Sequence, residues 1–269
     1  GFTLFLGRTD NFPNWYKRRI NRIYPTIIMW ALLSSLFFDW NWYVEELIIP
    51  PRYWFVPCIM VYYVIFYIIR TFFMNHLKWV FTIFFVVIAL SSIWLLDYTK
   101  SVMYADVSFM RVYYFLFMLL GAMTAISKRK ERTPLRAGVY TIISVGLYYV
   151  CMGSYKLDST LCRFQLISLM PLLSTIYWLF VFCDAAKVAR IFDKSWMGRP
   201  VYFISTLTLE VYMVQYALFT DRFNDIFPWN ILLTYIVIFL IAYFLKCSSN
   251  LFSLLFKEDR ITWEKVCQV

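Results

Sequence analysis

Four cations fall within six positions of the stretch KRRINRIYP: Lys17, Arg18, Arg19 and Arg22. The run that follows, TIIMWALLSSLFF, carries no charge at all. Arg18 and Arg22 stand four residues apart, so on a helix they share a face and repel unless an anion sits between them. From spacing alone the cluster reads first as a lipid-head anchor. A phosphate-bearing ligand is the other reading. The second candidate is Glu210, in the otherwise uncharged run FISTLTLEVYMVQYALF. A carboxyl inside an apolar run is costly and marks a functional position by default. It can act as an acid or base, or pair with a cation or a sugar hydroxyl; alternatively it is a protonated group bonded to another helix.

Other residue types offer less. The one histidine, His76, lies in the polar stretch MNHLK and reads as solvated. Six cysteines are scattered without a CxxC pair, which gives neither a zinc site nor a disulfide framework. Trp54 heads an apolar run, RYWFVPCIMVYYVIFY, where a tryptophan commonly sits at the membrane interface. Tyr62 and Tyr63 follow in the same run and could bond within a bundle or line a cavity. Gly121, in YYFLFMLLGAMTA, permits close helix packing. No nucleophile elbow, phosphate-binding loop or dinucleotide fingerprint is present.

The elements that must position these groups follow from composition. Of 269 residues, 62% are hydrophobic and only 16% are charged. A soluble fold could not cover that much apolar surface, whereas lipid solvates it freely. The fold class expected is therefore an all-α, polytopic transmembrane bundle. Apolar runs separated by charged breaks predict eight spans, at about 24–41, 53–70, 79–96, 110–127, 137–153, 164–183, 200–219 and 230–247. The net charge of +10 is not a nucleic-acid footprint, because the cations sit between apolar runs. Counted over alternating loops, twenty of the 26 Lys and Arg fall on one side. That asymmetry places KRRINR, SKRKERTPLR and the C-terminus in the cytoplasm, and DWNWYVEELIIPPR outside. The last tail begins apolar and is expected along the cytoplasmic interface.

Five stretches, in order, resemble the acyltransferase family 3 proteins, multi-pass bacterial enzymes that O-acylate sugars. GFTLFLG resembles the tail of that family's second helix. WYKRRINRIYP is similar to its basic element, with Arg19 and Arg22 as the Arg-x-x-Arg pair. YWFVPCIMVYY resembles the helix that carries over Trp54 and Tyr62. FLFMLLGAM fits a further helix, and FISTLTLEVYMVQ resembles the late helix that carries over Glu210. The resemblance spans nearly the whole chain and implies one domain over 1–269. It also implies a complete fold of about ten helices, whose first helix, with an arginine and a catalytic histidine, lies upstream of Gly1. His76 does not stand in the matching motif, and Gln215 stands where many members have a histidine.

What the resemblance implies is an inner-membrane O-acyltransferase. Acyl-CoA is its co-substrate, acetyl-CoA in the expected case, with no tightly bound cofactor and no metal. Its acceptor is a hydroxyl of a cell-envelope or exported carbohydrate or glycolipid. Arg19, Arg22 and Glu210 are its expected catalytic residues, and Arg18, Trp54 and Tyr62 its expected substrate contacts. Its partners are the lipid bilayer and these substrates, not nucleic acid. Two other readings stay open: a flippase or transporter of a lipid-linked sugar, and a fragment inactive for want of the first helix.

Overall fold

The computed structural model describes residues 1–7, 10–38, 40–50, 53–95, 107–127, 133–156, 161–219, 225–256 and 262–268. Parts of three stretches singled out above, the SKRKERTPLR and DWNWYVEELIIPPR loops and the C-terminal tail, lie outside the described residues. Among the described residues the chain is helical, without strands. Among the described residues, seven helices or helix pairs are long and apolar enough to span a membrane, eight if a bent pair is taken as one span. The chain is a polytopic helix bundle, as its composition requires.

Two compact units are formed, one from Gly1–Thr9 and Tyr62–Lys194, the other from Asp10–Val61 and Ser195–Val269. The first unit contains α1 (Phe2–Leu6), α5 (Leu77–Leu95), α6 (Val107–Ile126), α7 (Pro134–Gly153), α8 (Leu169–Asp184) and α9 (Ala186–Phe192). The second contains α2 (Phe12–Phe37), α3 (Val44–Ile48), α10 (Ser195–Thr206), α11 (Thr208–Leu218), α12 (Trp229–Leu255) and α13 (Trp263–Val266). Helix α4 (Phe55–Phe72) gives its first turns to the second unit and the rest to the first.

In the first unit, Ile88, Met110, Tyr113, Leu116, Leu169 and Leu173 make a buried cluster, with Phe81, Phe84, Phe109 and Phe117 packed around it. Helices α7 and α8 pair antiparallel: Ser144 bonds Ser174 at 2.8 Å, and the Tyr140 and Trp178 rings meet tilted by 31° with centroids 4.6 Å apart. Gly121 on α6 meets α1 closely, since a Cβ there would lie 2.8 Å from the Phe2 nitrogen. Arg70, at the end of α4, closes the C-terminus of α1. It donates to the Leu4 carbonyl at 2.8 Å and to the Gly7 carbonyl at 2.7 Å, two groups that a helix end leaves unsatisfied.

Three element boundaries differ from those the apolar runs predict, each for a physical reason. Helix α2 begins at Phe12 rather than near residue 24, so the basic cluster is helical instead of lying in a loop. Pro13 starts it at a position where the missing N–H costs nothing, and Lys and Arg propagate helix well. Membrane depth and helix length are separate quantities, and only the first was visible in hydropathy. Helix α12 continues to Leu255 through the polar stretch KCSSN. There Ser248, Ser249 and Ser253 turn their hydroxyls back to the carbonyls of Phe244, Leu245 and Ser249. The seventh expected span is broken: α10 and α11 meet at Leu207 with a bend of 66°. The stretch ISTLT supplies the break. Ser205, Thr206 and Thr208 bond the carbonyls of Tyr202, Phe203 and Ser205, three residues back in each case, so hydroxyls compete with the helix ladder.

The C-terminal segment is tied to α12. Asn250 donates to the carbonyls of Val266 at 3.1 Å and Gln268 at 2.9 Å. The Cys267 thiol meets those of Cys247 and the Tyr243 hydroxyl, and Val266 is buried.

Candidate active site

The second unit gathers most of the chemistry on one face of α2. Trp15, Arg19, Ile23, Thr26 and Trp30 recur at intervals of three and four residues, which makes one stripe on a helix. Trp15, Ile23, Thr26 and Trp30 are buried, and Arg19 is half-buried beneath its own tryptophan. The Arg19 guanidinium carbon lies 5.1 Å from the Trp15 ring centroid, a cation–π contact. The stripe explains why the three arginines differ. Arg19 is turned into the bundle, whereas Arg18, one position before it, and Arg22, three positions after it, share an exposed face. Arg18 is paired with Asp10. Repulsion inside the cluster is therefore relieved in part by a carboxylate of the chain itself. Arg22 makes no ion pair among the described residues, and it neighbours both Arg18 and Arg19 on the helix surface.

Thr26 lies seven residues beyond Arg19, about 10 Å along the helix axis. Its hydroxyl donates to Glu210 Oε1 at 3.3 Å. The Lys246 ammonium on α12 reaches the same oxygen at 3.3 Å. Glu210 is only 1% exposed. It stands in the first turn of α11, three residues past the bend, so the broken helix is what positions it. A negative group in that turn also meets the positive end of the helix dipole. Its second oxygen, Oε2, is buried and has no hydrogen-bond partner among the described residues. Helices α2, α11 and α12 thus converge on one carboxylate, one oxygen of which is held twice and the other not at all.

Trp54 is half-buried and lies edge-on to Phe55 at 6.1 Å, in the turn ahead of α4. Its neighbour Tyr53 is the more deeply embedded residue. Fully buried, Tyr53 accepts from Trp30 Nε1 at 2.6 Å and donates to the Met213 carbonyl at 2.9 Å. Trp42, Tyr212 and Tyr216 pack their rings around it within 6.0 Å. This contact fixes α11 to α2 one turn from Glu210. Tyr62 belongs to the first unit: its hydroxyl donates to the Arg111 carbonyl and its ring lies 5.3 Å from Phe115. The structure thus brings Arg19, Arg22, Arg18, Trp54 and Glu210 into one unit and leaves Tyr62 engaged in the other. His76 is exposed in a short 3-10 turn, Met74–His76.

Sequence reasoning missed two residues. Lys246 counted as a cytoplasmic loop cation, because the C-terminal loop was counted from residue 246. Tyr53 was passed over for the tryptophan beside it. The signal for Lys246 was present: it is a single cation flanked by the apolar stretches IAYFL and LFSLL, with only small or polar residues in between.

A family model described as an acyltransferase domain matches residues 1–247, a range that takes in every candidate residue from Arg18 to Lys246. No curated protein matches the chain, and no solved structure does.

Proposed function

The chain belongs to acyltransferase family 3, and on that premise we propose that it moves an acyl group, acetyl in the expected case, from acyl-CoA to a hydroxyl of a cell-envelope or exported carbohydrate. The hydroxyl oxygen attacks the thioester carbonyl carbon, the carbon–sulfur bond breaks, and the hydroxyl's proton ends on the departing CoA sulfur, which leaves as the free thiol. One observation carries the reading. A single face of α2 carries Arg19 and, about 10 Å further along the helix axis, Thr26, which bonds Glu210 where Lys246 also reaches it, an arrangement that suits an anion at one end and a hydroxyl at the other. Arg19 and Arg22, with Arg18 beside them, hold the donor's phosphates or steady negative charge on the carbonyl oxygen. Glu210 orients or polarises a reacting group, and Trp54 shapes the pocket wall. The charge asymmetry of the loops supports an inner-membrane protein with a cytoplasmic C-terminus, the side on which acyl-CoA is held.

The bend between α10 and α11 favours a second reading. Discontinuous helices with an ionisable group at the break also occur in transporters, where they bind cargo. A flippase for a lipid-linked sugar would use Glu210 as a gating carboxylate and the arginines on pyrophosphate.

Thioester consumption separates the two. The chain, expressed with whatever coding sequence precedes Gly1, is placed in nanodiscs and CoA thiol release from acetyl-CoA is followed with and without envelope polysaccharide. The expected result is acceptor-dependent release that falls at least tenfold in Arg22→Ala and in Glu210→Gln. Movement of sugar lipid with no thiol release would establish the transporter instead.

A further inference from the structure

Glu210 accepts two hydrogen bonds, from Thr26 and Lys246, and both go to Oε1. A carboxylate has about four acceptor positions over two oxygens. Burying one oxygen without any donor carries a penalty that native proteins rarely leave standing. The side chain is 1% exposed, so bulk water does not serve Oε2. Lys246 differs from its partner: its side chain is 27% exposed. It reaches into the site from α12, a different helix from either of the other two groups. An ammonium there offsets the charge of a buried carboxylate and turns it, so that the unfilled oxygen faces away from the Lys246–Thr26 side.

We propose that Lys246 is a positioning residue which holds Glu210 by Oε1 and presents Oε2 as the acceptor for a hydroxyl of the carbohydrate substrate. The inference rests on the acyltransferase reading for the identity of that hydroxyl, but not for the existence of the acceptor oxygen. Lys246 touches no substrate itself and acts through Glu210. Thr26 shares the task as the lesser partner, because its hydroxyl is neutral. The ligand class follows from the chemistry: an unfilled carboxylate oxygen whose charge Lys246 already offsets selects a neutral donor, a hydroxyl, over an anion.

The test runs turnover and binding side by side. Initial rates are measured in nanodiscs for wild type, Lys246→Met, Lys246→Arg and the double variant Glu210→Gln/Lys246→Met, varying acceptor and acetyl-CoA separately. Equilibrium dialysis of labelled oligosaccharides from envelope polysaccharide is read on the same samples. Expected for Lys246→Met is an acceptor KM raised about 10-fold or more, with an unchanged acetyl-CoA KM and a matching loss of oligosaccharide binding. Lys246→Arg should recover most of the loss, and the double variant should be no worse than Glu210→Gln alone. A merely structural lysine would lower the folded fraction or both KM values together and would not separate the substrates. An acceptor KM and oligosaccharide affinity within twofold of wild type in Lys246→Met would overturn the proposal. So would absence of oligosaccharide binding to wild type. Binding that depends on Lys246 without any thiol release would uphold the acceptor oxygen and sink the acyltransferase reading alone.

Discussion

Replacing Tyr53 by Phe removes one oxygen and leaves the ring. The ring contacts to Trp42, Tyr212 and Tyr216 are kept, so the packing part of the energy is unchanged to first order. Two hydrogen bonds are lost. The Met213 carbonyl keeps its place in the α11 ladder, so its loss is small. Trp30 Nε1 has no such alternative: the residue is 1% exposed and its donor becomes orphaned. A stranded buried donor costs about 1–3 kcal/mol, and the bond itself contributed about 1 kcal/mol. The expected destabilisation is therefore about 2–4 kcal/mol. Trp30→Phe also destabilises, through lost volume, but in the double variant no donor is left to strand. The pair should cost less than the sum of the singles by about 1–2 kcal/mol. Unfolding in mixed micelles, titrated with a denaturing detergent and followed by circular dichroism, measures all three variants on one scale. Additivity within about 0.5 kcal/mol would refute the claim that this bond clamps α11 to α2.

The remaining predictions concern the way helices are held. Gly121→Ala must push α1 off α6, because its Cβ would meet backbone at 2.8 Å, and should cost about 1–3 kcal/mol in the same titration. Gly146→Ala meets nothing within 4 Å and should be neutral or stabilise by about 0.5–1 kcal/mol, since Ala orders a helix more cheaply. In Arg70→Lys one ammonium replaces a fork that spans two carbonyls, so the Phe5 and Gly7 amides of α1 should exchange with deuterium at least tenfold faster, about 1.4 kcal/mol of local stability. Mild oxidation should link Cys247 to Cys267 within one chain, as seen by peptide mass, and Asn250→Ala should reduce the yield by loosening the segment. Absence of the link in the parent chain would show that the C-terminal segment does not dock as described.

Most of the architecture was readable because lipid imposes it. Nearly every apolar run became a helix, since no other backbone satisfies its own polar groups there. Glu210 stood out for the same reason, being an ion in the wrong solvent. The unread part involved competition between local forces that hydropathy does not weigh. The ISTLT hydroxyls broke a run that is apolar on average, and the KCSSN hydroxyls, bonding backward, failed to break another. Residues of one type therefore did opposite things, and the difference lies in which carbonyl each hydroxyl reached. Lys246 was misjudged because cations are counted along the chain, whereas its partner stands 36 residues away in sequence. Tyr53 gave no signal at all, since a fully buried tyrosine and an interfacial one have the same composition around them.

The separation of Glu210 from Lys246 also bears on how the chain is made. Each residue alone opposes partition of its helix into lipid by about 2.5–3.5 kcal/mol if it lies near the centre of the bilayer. The ribosome adds Glu210 36 residues before the lysine that neutralises it. During that interval α10 and α11 hold an uncompensated acid, and the bend at Leu207 gives them an obvious way to stay at the interface. Insertion of the last two elements is then a joint event, completed when α12 arrives. A substitution at Lys246 therefore reaches beyond chemistry at the site, into the fraction of nascent chains that acquire the correct topology.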